Sequence, residues 1–230
     1  MLIGVFSDAH GHTGGFDLAQ NVLEKAGASV LYFLGDAIGY IPSTGVVQRL
    51  MSNHHVRAIV GNHEAMMLSG MPLEEKRAVV YQFERILAQL KPDELAFLRS
   101  LPAKRHLTDR GLRMLFVHGS PDDPTNGYVY PDTDLKPLRD IDADVAFMGN
   151  THHPFVRTEN GRLFVNVGSC GLPRDNDPRG CACLFDSVRR EATMLRYSIS
   201  ATSRALLADG GISDAVAQYL RRYASFMEDT

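Results

Sequence analysis

Short apolar runs rich in β-branched and aromatic residues alternate with helically spaced segments over the first sixty residues. Leu2-Ile3-Gly4-Val5-Phe6, Val30-Leu31-Tyr32-Phe33-Leu34 and Val56 to Val60 read as strands. Between them, Leu18 to Ala26 carries apolar residues at helical spacing and stops at Gly27, and Val46 to Met51 gives a second, shorter helix. This βαβαβ opening predicts parallel strands joined by right-handed crossovers. The alternation then breaks. Leu73 to Leu90 reads as one long charged helix, and Pro92-Asp93-Glu94 starts another through Leu98, which Leu101-Pro102 ends. Strands return at Met114–Val117, Val145–Met148, Leu163–Val167, Cys181–Phe185 and Ala192–Ile199. Their close spacing and turn residues such as Glu159-Asn160-Gly161 predict antiparallel pairing in this half. From Ser200 the chain is polar, then amphipathic over Ile212 to Phe226, with an apolar stripe suited to the body of the protein or to a second subunit of a homo-oligomer. Without repeats or linkers, residues 1–230 read as one domain, with a helical insertion at about 71–102 and a helical tail at about 200–230.

Chemistry gathers where the strands stop. Five apolar runs end on hard metal ligands: Asp8 and His10, Asp36, Asn62-His63, His118, and Asn150-Thr151-His152. Open α/β folds place their sites at strand ends on one sheet edge. Asp, Asn and His together suit Mn, Fe, Zn or Ni. Asp8 and His10 are two apart, so both reach the same side at a strand end. Asp36 follows a glycine and its two oxygens can bridge two ions; Asn62 offers an amide oxygen, and His118 and His152 offer imidazoles. Two ions about 3.5–4 Å apart would clamp a phosphoryl group and lower the pKa of a shared water to about 7. The chain has no Gly-x-Ser-x-Gly elbow, Walker-type loop or dinucleotide glycine fingerprint.

Composition narrows the classes. The 230 residues are 44% hydrophobic and 22% charged, which suits a folded soluble protein. A net charge of -3 gives no electrostatic reason to expect a nucleic-acid partner. No run approaches the roughly 20 apolar residues of a membrane helix, and the N-terminus enters a strand directly, which predicts a cytoplasmic protein with no membrane partner. The three cysteines, Cys170, Cys181 and Cys183, suit a reduced compartment. Cys181 and Cys183 share one strand face and read as small core residues, since a zinc site needs more partners at set spacing.

These motifs resemble the calcineurin-like metallophosphoesterases. The resemblance rests on Asp8-Ala9-His10-Gly11, Gly35-Asp36, Gly61-Asn62-His63-Glu64, Val117-His118-Gly119 and Gly149-Asn150-Thr151-His152, in that order. Asn166-Val167-Gly168-Ser169-Cys170-Gly171-Leu172-Pro173-Arg174-Asp175 and the segment from Leu90 to Pro102 are similar to the small prokaryotic phosphodiesterase-like branch, so the match spans roughly Met1 to Ile199. It implies an α/β (α+β) protein, a two-layer β-sandwich flanked by helices, with a binuclear centre on one edge. It also implies a hydrolase of phosphomonoesters or phosphodiesters that uses a metal-bridging hydroxide. Asp8, His10, Asp36 and His152 would hold one ion, and Asp36, Asn62 and His118 the other. His63 would act on the substrate or leaving oxygen, and Glu64 is expected either to orient its ring or to stand solvated on the surface. One position departs: Asn150 stands where the family usually has a histidine ligand. A weakened second ion there motivates the alternative of a phospho-ligand-binding or regulatory protein on the same fold. His12, just past the first motif, is expected to touch a substrate oxygen, and Arg174 to neutralise a phosphate. Selectivity is expected in the insertion, as a lid or as a plain surface hairpin, and in the loop from Asp122 to Pro137.

Overall fold

The computed structural model describes residues 1–138 and 140–226. The opening folds as expected: β1 (Leu2–Phe6), α1 (Thr13–Lys25), β2 (Val30–Phe33), α2 (Gly45–Ser52) and β3 (Val56–Ala58), with β1–β2 and β2–β3 parallel. Asn62 then begins a helix, α3 (Asn62–Ser69). The insertion holds α4 (Glu75–Tyr81), α5 (Phe83–Leu87) and α6 (Pro92–Ser100). After it come β4 (Lys104–Asp109), β5 (Leu112–Val117), a 3-10 turn at Lys136–Leu138, β6 (Val145–Met148), β7 (Phe155–Glu159), β8 (Arg162–Asn166), β9 (Gly180–Asp186) and β10 (Glu191–Tyr197). The tail forms α7 (Ser200–Asp209) and α8 (Asp214–Ala224), and its last residues, 227–230, lie outside the described residues.

Among the described residues the strands make two five-stranded mixed sheets, ordered β10-β9-β1-β2-β3 and β4-β5-β6-β8-β7. The side-chain alternation of each strand says how they stack. Ile3, Val5, Tyr32, Met114, Phe116, Val145 and Phe147 point into one core between the sheets. The intervening Phe6, Leu31 and Phe33 face a helical layer, while Leu115, Val117, Ala146 and Met148 face the loop from Val129 to Ala143. Aromatic stacking crosses the inner core: Tyr32 lies 3.8 Å from Phe116, and Phe116 5.0 Å from Phe147, centroid to centroid. Cys170, Cys181 and Cys183 are free thiols in these cores.

Two expectations need correction. The second half is not wholly antiparallel, because β5–β6 and β6–β8 are parallel and only β4–β5, β7–β8, β1–β9 and β9–β10 run antiparallel. The 27-residue gap between Val117 and Val145 is long enough for a crossover, which spacing among the later, shorter gaps concealed. The helix expected over Leu73 to Leu90 breaks at Gln82, whose φ is 55°. There the Tyr40 N–H donates to the Tyr81 carbonyl (3.2 Å) and the Gln82 amide to the Tyr40 carbonyl (3.3 Å), so a distant loop overrides the local periodicity. The tail is helical, as expected: α7 packs against α8, the amphipathic helix that buries Val216, Ala217, Leu220 and Tyr223.

His12 is a fold residue, which corrects its expected contact with substrate. It is fully buried and caps α1: its Nδ1 accepts from the Gly15 N–H (2.9 Å), and its Nε2 pairs with Ser203 Oγ on α7 (3.3 Å). Both ring nitrogens are therefore engaged away from the ligand cluster. Burial pushes its pKa down to about 4, so the folded state needs the neutral ring. His12→Ala is expected to lower stability by about 1 kcal/mol at pH 7, a typical cap loss. The deficit should shrink as pH falls from about 6.5 toward 4, where protons favour the unfolded wild type. Urea unfolding of both proteins across that range measures this; identical curves would remove the cap from the account.

Candidate metal centre

The five strand ends converge on one edge of the sandwich. Asp8 and His10 follow β1, Asp36 follows β2, Asn62 and His63 open α3, His118 follows β5, and Asn150 and His152 follow β6. Their backbones are bent for the purpose. Among the described residues ten non-glycine positions have positive φ, and six lie here: Asp8 (59°), His10 (49°), Asp36 (57°), Tyr40 (64°), Asn150 (64°) and His152 (61°). Left-handed backbone costs a non-glycine residue roughly 1 kcal/mol or more and gathers at functional sites. Here it turns each chain sharply at the strand end and throws the side chain back over the sheet edge.

Each strand end is also braced. The Asp8, His10 and Gly11 N–H groups donate to the carbonyls of Gly35, Asp36 and Ala37. The Asn150 N–H donates to Asp8 Oδ2 (3.0 Å), and the His63 N–H to Asp36 Oδ1 (2.9 Å). At Gly61 a Cβ would sit 2.1 Å from Asp36 Oδ1, so only glycine lets this carboxylate lie against the start of α3.

The tautomers follow from the second ring nitrogens. Nδ1 of His10, His118 and His152 faces the carbonyls of Ile38 (3.2 Å), Leu34 (2.9 Å) and Leu172 (2.5 Å). A carbonyl only accepts, so each Nδ1 carries a proton and each ring directs its Nε2 toward the centre, as a lone pair whenever that nitrogen is unprotonated. His10 Nε2 then lies 3.0 Å from His152 Nε2, and His118 Nε2 3.0 Å from Asn62 Oδ1. Asp8 Oδ1 is 3.4 Å from His152 Nε2 and has no hydrogen-bond donor among the described residues. Asp36 Oδ2 sits between His10 Nε2 (3.6 Å) and His118 Nε2 (3.4 Å). Acceptors pressed on acceptors without donors are the signature of a cation site, and this donor set of imidazole, carboxylate and amide oxygen fits transition-metal ions. Asp8, His10 and His152 form one group able to hold an ion, Asp8, Asp36 and His118 another, and His10, Asp36 and His63 a third.

The charges agree. Burial, together with the Arg174 guanidinium, pushes His152 below its usual pKa, and burial pushes His10 down against the pull of Asp36. Burial would lower His118 too, but the carboxylates of Asp36 and Asp8 lift it to about 9. Burial would raise Asp36, yet His118 and His63 hold it well below the carboxylate range. Two carboxylates thus draw positive charge to the side of the cluster where Asn62 and His118 stand.

A family model for the calcineurin-like phosphoesterase superfamily domain matches residues 1–189. The chain belongs to that superfamily. Calcineurin-like phosphoesterases with similar sequences include a probable metallophosphoesterase of Methanothermobacter thermautotrophicus, 35% identical over 99 residues, which are 41% of this chain and 53% of that one. An uncharacterized protein of Methanocaldococcus jannaschii is 27% identical over 221 residues, covering 86% of this chain and 88% of its own. The crystal structure of a metallophosphoesterase from Sphaerobacter thermophilus superposes with a TM-score of 0.77 at 25% identity, over 97% of this chain and 99% of that one. The sandwich described above is this superfamily's fold, and its members typically bind divalent metals. Among the described residues no helix is long and apolar enough to cross a membrane.

Within this phosphoesterase framework, His63 is enclosed by rings. Its centroid lies 4.7 Å from His10, 4.8 Å from Tyr40, 4.6 Å from Tyr81 and 5.6 Å from Phe83. Its Nδ1 is buried without a hydrogen-bond partner among the described residues and lies over Gly39, where a Cβ would come within 2.2 Å. Burial drives its pKa down to about 4 against the pull of Asp36. Periodicity gave no sign of Tyr40 or Tyr81; the break at Gln82 sets Tyr81 and Phe83 on the ring. Arg174 is close by, stacked over Tyr40 (5.5 Å) and donating to the Tyr40 hydroxyl (2.8 Å). Asn150 donates its amide to the Gly127 carbonyl (2.9 Å), which engages Nδ2 and not Oδ1. His153 packs on Tyr130 (5.8 Å), away from His152.

Glu64 corrects another expectation. It neither orients the His63 ring nor sits in solvent: it is fully buried, and its carboxylate accepts from the N–H groups of Asp36 (2.9 Å), Ile38 (3.0 Å) and Gly61 (2.8 Å). Burial and the neighbouring Asp36 raise its pKa to about 7 against those three donors. Glu64 thus fixes the turn that presents Asp36. Glu64→Ala strands three buried donors and is expected to cost roughly 3 kcal/mol or more in urea unfolding of metal-free protein. A loss under about 1 kcal/mol would mean that water replaces the carboxylate.

Proposed function

We propose that this chain is a metal-dependent phosphoesterase that hydrolyses a phosphomonoester or phosphodiester. The observation that carries this reading is the cluster of donorless acceptors, His10 Nε2 against His152 Nε2 at 3.0 Å beside the bare Asp8 Oδ1. Asp8, His10 and His152 would hold one ion, Asn62 and His118 a second, with Asp36 shared and Asn150 Oδ1 at the second ion's edge. Two such ions supply Lewis acidity toward the phosphoryl oxygens and acidify a water for in-line attack. The residues do the rest. His63, dry and held by aromatic walls, donates a hydrogen bond to the leaving oxygen. Arg174, held in place by Tyr40, sets a positive charge beside the phosphate. No covalent intermediate is needed, which agrees with three inert, buried cysteines. The assay is hydrolysis of 4-nitrophenyl phosphate and bis(4-nitrophenyl) phosphate by chelator-stripped protein, with and without added Mn²⁺. Metal-restored turnover of either supports the proposal. Silence with every divalent ion tested, on both esters, sinks it and leaves phosphate-ligand binding as the function of the fold.

A further inference from the structure

The rim of this site carries rings that the proposed hydrolysis does not use. Tyr128 is 54% exposed and Tyr130 42%, and their rings stack nearly parallel, 11° apart with centroids at 6.3 Å. Tyr130 continues onto His153 (5.8 Å), so the rings make a short aromatic strip. The strip is fastened to the candidate ligands at both ends. His153 follows His152 in the chain, and Tyr128 follows Gly127, whose carbonyl takes the Asn150 amide. The same loop is clamped further back, where the Pro124 carbonyl accepts from the N–H groups of His118 (3.0 Å) and Gly119 (2.8 Å). Stacked aromatic faces left open to water beside a polar centre have no role in the core, and they are the surfaces on which planar rings bind.

We infer that the strip Tyr128–Tyr130–His153 is a subsite for a planar aromatic group, so that the substrate is a phosphate ester carrying a nucleobase or another flat ring. Tyr128 adjoins Gly127, which Asn150 bonds, and His153 adjoins His152, so one molecule can set its phosphate on the candidate centre and its ring on the tyrosines. A nucleoside and a simple aryl group share this chemistry, and the size of the planar face separates them.

This inference rests on the phosphoesterase reading, so its test compares esters that share one leaving group. Thymidine 5′-(4-nitrophenyl) phosphate and methyl 4-nitrophenyl phosphate both release 4-nitrophenolate, and only the first carries a second planar group. The metal-loaded protein is expected to show a KM about ten-fold lower for the nucleoside ester, the scale of one base stacked on an aromatic ring. In the doubly substituted Tyr128→Ala, Tyr130→Ala protein that ratio should fall close to one. Phenyl 4-nitrophenyl phosphate is the third substrate: an advantage equal to the nucleoside's assigns the strip to aryl groups in general, and a smaller one assigns it to nucleobases. Equal KM values in the wild type, or an advantage that survives the double substitution, overturn the inference while leaving the hydrolase intact. If no ester turns over, the phosphoesterase reading fails separately. Calorimetric binding of thymidine 5′-monophosphate against ribose 5-phosphate then decides, with equal affinities counting against the strip.

Discussion

Asp36→Asn is expected to remove metal and turnover together. The substitution is close to isosteric, and Asn tolerates the left-handed backbone that Asp36 adopts at φ 57°. Its Oδ1 can still accept from the His63 N–H, so the local fold survives. What disappears is the negative charge between His10 and His118, whose Nε2 atoms lie 3.6 and 3.4 Å from Asp36 Oδ2. Losing a partner that merely orients a ligand already weakens metal binding by 10–100-fold, so losing this shared carboxylate should lower affinity by at least about 100-fold. Metal analysis of dialysed protein and turnover of bis(4-nitrophenyl) phosphate are the paired measurements. A variant that keeps its metal and loses only turnover would assign Asp36 to the substrate instead.

His63→Asn separates the two functions in the opposite sense. The ring is within ligating distance of His10 and Asp36, so geometry alone allows it to be a ligand. Its enclosure by Tyr40, Tyr81 and Phe83 speaks for a side chain held ready for a substrate, with surroundings that exclude water. The expected result is full metal content with kcat reduced by roughly 10²-fold or more, the usual worth of a proton-handling side chain, and little change in KM. His63→Ala should repeat the result, with some loss of stability from the emptied aromatic box. Metal lost from both variants would make His63 a ligand and reassign the proton donor.

The part of this site that periodicity exposed is the part built by single strands. A β-run followed by Asp8, Asp36, His118 or His152 can be read locally, because the strand direction alone carries the side chain to the sheet edge. The unread part depends on residues far apart in the chain. Glu64 looks like a helix-start carboxylate, yet two of its three donors belong to Asp36 and Ile38, 28 and 26 residues earlier. His12 resembles a loop residue of the first motif until α7 brings Ser203 to its ring. The long charged segment from Leu73 reads as one helix because its spacing is regular, and only the pairing of Tyr40 with Tyr81 breaks it at Gln82. The parallel pairing of β5, β6 and β8 escaped for a related reason: strand direction is set by where the connecting loop runs, and the loop through Lys136–Leu138 has no period to read.

The left-handed backbones at Asp8, His10, Asp36, Tyr40, Asn150 and His152 bear on what can happen to this chain under selection. Glycine would sit more comfortably than the present residue at each of these positions, because it does not resist that conformation, and asparagine, already present at 150, resists it less than most. A population screened for heat resistance alone should therefore drift toward glycine here and shed its ions along the way. Resistance to melting and a candidate metal centre therefore make opposite demands on the five of these positions that carry candidate ligands.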